Sequence, residues 1–151
     1  MKVLTYDPYV VAEALAATGV DSVSFDDLLA RSDFISVHAP LQPATRGLMN
    51  GKTFAKMKKG AMLINTARGP LVDEPALIAA LDSGHLGGAA LDVVMTEPLA
   101  KDSSLIGRDN VILTPHTAFY SVEALEELQT KCASDVARVL SGEKAIYPIS
   151  A

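Results

Sequence analysis

Proton transfer near neutral pH is the chemistry that His116 offers, because imidazole titrates there and a nearby carboxylate raises its pKa and fixes its tautomer. Glu97 is the candidate carboxylate, and the two make a possible acid/base dyad. They equally suit a helix N-cap and a loop glutamate before proline. Arg68 follows an apolar run and precedes Gly69-Pro70. Its planar paired donors can hold a carboxylate or polarise a keto oxygen, or simply make a surface salt bridge. Asp7, after a short apolar run, can accept two hydrogen bonds from a ribose diol and repel a 2′-phosphate, which favours NAD over NADP. No Arg or Lys stands between Asp7 and Arg31 to compensate such a phosphate. Asp7-Pro8 also suits a turn opener. His38 and His85 lack helical i, i+4 spacing and cysteine neighbours, so the expectation for metal is none. Cys132 lies on an apolar stripe and is expected in the core.

These groups need elements to position them. Lys2–Asp7 reads as a strand stopped by Asp7-Pro8, followed by a helix through Val10, Val11, Ala14, Leu15 and Ala17 that Gly19 ends. Ser24 caps a short helix with Asp26 and Asp27 in its first turn. Phe34–Val37 is a strand running into His38-Ala39-Pro40, and Leu41–Leu48 is a proline-punctuated connection. Asn50 opens a helix through Thr53–Lys59, closed by Gly60. Ala61–Thr66 is a continuous apolar strand of the kind found inside parallel sheets. Asp73 caps a helix bearing Leu77, Ile78 and Leu81, ended by Gly84. Gly87–Val93 and Val111–Thr114 are further strands, with a turn at Ser103–Ile106 between them. The last helix, from about residue 121 to Ser141, carries Val122, Leu125, Leu128, Cys132, Val136, Val139 and Leu140 on one stripe. Tyr147-Pro148-Ile149 reads as an extended tail.

Alternating strands and helices with short connections predict an α/β, doubly wound parallel sheet. In such sheets ligands bind beyond the carboxyl ends of the strands. That rule gathers Asp7, His38, Thr66-Ala67-Arg68, Asp92 and Pro115-His116 on one edge.

The 151 residues amount to about one domain, and a hydrophobic fraction of 49% is ample for a core rather than for disorder. A net charge of −5 excludes a basic stripe, so nucleic acid is not an expected direct partner. The N-terminus has no basic segment leading into an apolar one, the lone Cys132 cannot make an intrachain disulfide, and no apolar run spans a bilayer. A cytoplasmic protein without a membrane role is the expectation.

Several strings, in order, carry a family likeness: Asp7-Pro8-Tyr9 after a strand, SVHAPLQPATRGLMN, MKKGAMLINTARGPLVDEPALIAAL, GGAALDVVMTEPL and NVILTPHTAFYS. Together they resemble the NAD-binding domain of the D-isomer-specific 2-hydroxyacid dehydrogenases, in the branch of phosphoglycerate-dehydrogenase-like and C-terminal-binding-protein-like members. The resemblance implies a Rossmann-type fold and hydride transfer between nicotinamide and a small 2-hydroxy or 2-keto acid. It implies Arg68 as the group orienting substrate, His116 as acid/base and Glu97 as its tuner. Asp7 falls on the adenosine ribose, His38, Ala39, Pro40, Thr66 and Ala67 along the cofactor, and Asp92 near the carboxamide. Arg68, His116 and Phe119 join the cofactor contacts. A homodimer is implied for the full-length family. The alternative is an NAD(H)-responsive corepressor-like binding protein without catalysis, a branch that commonly has Trp where this chain has Phe119.

Departures from the family are also legible. The G-x-G-x-x-G turn that holds a pyrophosphate is absent. The resemblance starts inside the family pattern, so residues 1–143 read as a partial NAD-binding domain lacking its first βα unit. Residues 144–151 read as a tail that would cross back to a substrate domain. In the strand order 3-2-1-4-5-6 the missing strand is central, which leaves two unpaired edges and an apolar slot. The expectation is a truncated or mis-started dehydrogenase fragment, weakly active or inactive alone, with a complementing polypeptide or a binding-only relic as alternatives.

Overall fold

The computed structural model describes residues 1–11, 14–15 and 19–148 of the chain. It divides into two compact units, Met1–His116 and Thr117–Ala151.

In the first unit, β1 (Leu4–Thr5) pairs in parallel with β2 (Asp21–Ser22). A separate sheet holds β3 (Phe34–Val37), β4 (Met62–Asn65), β5 (Gly88–Leu91) and β6 (Val111–Leu113), parallel and in that order. Parallel neighbours require crossovers. Two of them contain helices: α2 (Gly51–Lys56) between β3 and β4, and α3 (Glu74–Asp82) between β4 and β5. A further helix, α1 (Phe25–Arg31), joins β2 to β3.

Local sequence explains the boundaries. Ser24 Oγ accepts from Asp27 N at the start of α1. Asn50 and Thr53 form a reciprocal capping box on α2, and Asp73 caps α3 with Pro75 in its first turn. Met57 ends α2 in extended conformation, three residues short of the expected Gly60 stop. Ala14 and Leu15 are helical, but Val10 and Val11, expected in the same helix, are not; they follow the turn at Pro8–Tyr9, and residues 12, 13 and 16–18 lie outside the described residues.

The register stacks side chains in rows. Ile35, Leu63 and Ala89 are mutual partners, as are Val37, Asn65 and Leu91. These rows join Leu29 of α1, Phe54 of α2, and Leu77 and Leu81 of α3 in one buried core. The opposite face carries Phe34, Met62 and Ile112, with Phe34 61% and Ile112 67% exposed. The strand at Ala61–Thr66 is therefore not buried on both faces as its apolar run suggests. Its residues alternate, with Met62 outward and Leu63 inward.

Asp21–Ser22 is a strand that no apolar pattern announces, since both residues are exposed. The Ala61–Thr66 strand is interior to the four-stranded sheet, between β3 and β5, and β3 and β6 are the edges of that sheet.

In the second unit, α4 (Val122–Leu140) begins at Ser121, whose Oγ accepts from Ala124 N, and stops before Gly142 at φ 80°. No residue of α4 is buried, and Cys132 is exposed, contrary to its expected place in a core. One helix and a short tail supply no second apolar layer within that unit. The chain bends at Ile146 and Tyr147, whose N–H groups donate to Asp135 at 2.7 and 3.2 Å, whereas Ile149 of the expected extended tail lies outside the described residues.

Candidate active site

Each expected site residue in the first unit follows the C-terminal end of a parallel strand. His38 follows β3, Thr66-Ala67-Arg68 follows β4, Asp92 follows β5, and Thr114-Pro115-His116 follows β6. Asp7 lies beyond β1 on the smaller sheet, where its Oδ1 accepts from Tyr9 N at 2.8 Å, so it is also a turn opener. His38 Nε2 lies 2.9 Å from Ser36 Oγ. Phe119 belongs to the second unit, where its ring packs edge-on to Tyr120.

Backbone hydrogen bonds continue the sheet ladder past the strands. Asp92 N donates to Asn65 O at 3.0 Å, and His116 N donates to Asp92 O at 2.8 Å. His116 adopts φ 56°, the left-handed region that a side chain with Cβ enters at a cost of about 1–2 kcal/mol. The ladder thereby turns the imidazole back toward the loop after β5.

There the ring meets Glu97. His116 Nδ1 lies 2.8 Å from Glu97 Oε2, and Glu97 Oε1 accepts from Val94 N at 3.2 Å. The His116 hydrogen bond, aided by Val94 N–H and opposed by desolvation, holds the Glu97 carboxyl below its ordinary 4.5. An ionised carboxylate only accepts, so Nδ1 carries the proton of this bond. The Glu97–Pro98 peptide bond is cis.

Glu97 and His116 line a cleft of about 570 Å³ together with Asp92, Thr114 and the apolar Val94, Leu99, Leu113 and Pro115. Asp92 is buried, and Thr114 Oγ1 donates to its carboxylate. Arg68 is not among the residues lining the cleft; its Nη1 donates to Ala67 O at 2.6 Å. The Arg68 turn nevertheless touches the dyad's loop, because a Cβ on Gly69 would lie 1.7 Å from Val94 O. Among the described residues no cluster of His, Cys, Asp and Glu could hold a metal ion.

Three contributors escaped the sequence reading: Thr114, Asn65 and Val94. Asn65 had a visible signal, as the one polar side chain inside the run Met62-Leu63-Ile64-Asn65. Val94 had none, because it acts through its backbone.

Residues 1–118 match the family model for "D-isomer specific 2-hydroxyacid dehydrogenase, NAD binding domain". The chain belongs to that family. It is 48% identical over all of its 151 residues to D-3-phosphoglycerate dehydrogenase 2, chloroplastic, of Arabidopsis thaliana, covering 24% of that protein. It is 48% identical over 141 residues to the D-3-phosphoglycerate dehydrogenase of Mycobacterium leprae (strain TN), covering 93% of this chain and 26% of that protein. Among solved structures, D-lactate dehydrogenase with NAD+ from Lactobacillus jensenii superposes with TM-score 0.89 at 33% identity, over 99% of this chain and 48% of that one. The holo form of Rhodotorula graminis D-mandelate dehydrogenase gives TM-score 0.89 at 37% identity, over 100% of this chain and 44% of that one. The chain thus spans about a quarter of the curated relatives it matches and about half of the solved chains.

The site residues fit the cofactor of this family at its nicotinamide end. An apolar cleft with a buried carboxylate suits a flat ring bearing an amide, which needs an acceptor when desolvated. No described residue belongs to a G-x-G-x-x-G turn. No helix among the described residues is long and apolar enough to cross a membrane.

Proposed function

We propose that this chain contributes the NAD-binding and acid/base part of a D-2-hydroxyacid dehydrogenase. The observation that carries this reading is the 2.8 Å hydrogen bond between Glu97 and His116 beside an apolar cleft. When bound, NAD(H) supplies or accepts the hydride at the substrate C2. His116 Nε2 gives a proton to the keto oxygen in reduction and takes one from the hydroxyl in oxidation. Glu97 keeps the proton on Nδ1 and stabilises the imidazolium.

Arg68 orients the substrate by pairing with its carboxylate, exchanging its present bond to the Ala67 carbonyl for a charge-assisted pair. Asp92, steadied by Thr114, accepts from the carboxamide. Asp7 takes the adenosine ribose, while His38, Ala39, Pro40, Thr66, Ala67 and Phe119 contact the rest of the cofactor. The substrate is a small 2-hydroxy or 2-keto acid. Action as a homodimer in a reducing, cytoplasm-like compartment belongs to the same reading, supported by the free Cys132.

The test is NADH oxidation by the full-length protein with a panel of 2-keto acids. His116→Gln is expected to lower kcat by about 10²–10⁴. Undiminished turnover by His116→Gln would sink the assignment.

A further inference from the structure

Asn65 ends β4 with its side chain fully buried. A buried amide has to bond both its donor and its acceptor, and Asn65 spends both on the turn that follows it. Oδ1 accepts from Ala67 N at 3.0 Å, and Nδ2 donates to Arg68 O at 3.0 Å. The two bonds bracket residues 67 and 68. Arg68 itself is extended, φ −147° and ψ 138°, so the regular bonding of a helix or strand does not set its direction.

The other side of the turn is equally confined. Gly69 lies so close to Val94 that any Cβ would overlap the Val94 carbonyl, and Val94 N donates to Glu97. One buried amide thus fixes a turn that abuts the loop carrying the dyad's carboxylate. We propose that Asn65 is a positioning residue that sets the aim of Arg68 relative to the Glu97–His116 pair. The inference rests on reading Arg68 as the group that orients substrate.

Asparagine is the residue this role requires. Aspartate retains the acceptor for Ala67 N but faces the Arg68 carbonyl with a second oxygen, so the donor half of the clamp is lost. A displaced turn misaims a guanidinium whose value lies in two-pronged geometry.

The experiment compares Asn65→Asp, Arg68→Ala and the double variant in the full-length protein, by steady-state kinetics and by amide hydrogen exchange. Asn65→Asp is expected to lower kcat/KM for the 2-keto acid about tenfold or more. In the Arg68→Ala background the same substitution is expected to cost less than about twofold. The Ala67 amide is expected to exchange about tenfold faster or more in Asn65→Asp. Equal losses in both backgrounds, or unchanged Ala67 exchange, overturn the proposal. An Arg68→Ala enzyme with unaltered kcat/KM overturns the role of Arg68 itself, and that failure appears in the Arg68 variant alone. Should Asn65→Asp fail to fold, Asn65→Ser, too short to reach both partners, carries the same comparison.

Discussion

His116 Nδ1 and Glu97 Oε2 are 2.8 Å apart although the residues stand 19 positions apart in the chain. The contact joins the end of β6 to the loop after β5, and it engages Nδ1 of the imidazole. Glu97→Gln keeps the shape but removes the charge that stabilises the imidazolium. Its kcat for keto-acid reduction is expected to fall about 10–100-fold. A kcat equal to the parent's would show that the carboxylate does not assist the ring.

The same pair has a signature in stability. Glu97 holds its proton less tightly in the folded protein than at the ordinary 4.5, chiefly through the His116 hydrogen bond. Between the folded value and 4.5 the unfolded chain binds more protons, so stability rises with pH across that window. The contribution is complete above 4.5 and lost as pH falls through the folded value. The urea midpoint of the parent is expected to exceed that of Glu97→Gln at about pH 6, and the gap to narrow progressively as pH falls below 4.5.

Backbone conformation makes a separate prediction at His116. With φ at 56°, glycine relieves about 1–2 kcal/mol of strain, against about 0.5–1 for its extra chain entropy and about 0.5–1.5 for the lost bond to Glu97. His116→Gly is therefore expected to unfold within about 1 kcal/mol of the parent despite losing the imidazole that pairs with Glu97. His116→Val, β-branched in that region, is expected to cost more than about 2 kcal/mol. Urea titration separates the two.

Gly69 is expected to be far less tolerant than glycines in open turns. A Cβ there meets Val94 O at 1.7 Å and Val94 C at 2.1 Å, which are backbone atoms that cannot rotate away. Gly69→Ala is expected to cost about 3 kcal/mol or more. Gly60→Ala, at φ 83° with nothing within 4 Å, is expected to cost about 1–2 kcal/mol. Matching unfolding midpoints for the two variants would mean the Gly69 approach is looser than described.

The two faces of β3–β6 should also differ. Leu63 is fully buried, so Leu63→Ala is expected to cost about 2–5 kcal/mol. Phe34, 61% exposed, is expected to tolerate Ser within about 1 kcal/mol and to self-associate less, as read by light scattering.

Most of the strand ends that carry the candidate residues were legible, because parallel sheets put their polar loops there. The strands at Phe34, Met62, Gly88 and Val111 announced themselves by apolar composition, and Asp92 and His116 followed from where those strands stop. What escaped has physical causes. Asp21–Ser22 pairs through its backbone and carries no apolar side chain. Cys132 and its stripe obey helical periodicity, yet a period says which side chains share a face and not what covers that face. Arg68 was placed correctly on the chain, but its present bond to Ala67 O depends on torsions that spacing does not encode.

The bonds from Asp92 N to Asn65 O and from His116 N to Asp92 O tie three chemical positions to adjacent rungs. A slip of one residue in β5 would turn Asp92 to the opposite face and remove the carbonyl that receives His116. These positions are therefore fixed as a set. Changes in the loops can alter what is recognised, while the spacing of Asn65, Asp92 and His116 stays locked to strand register.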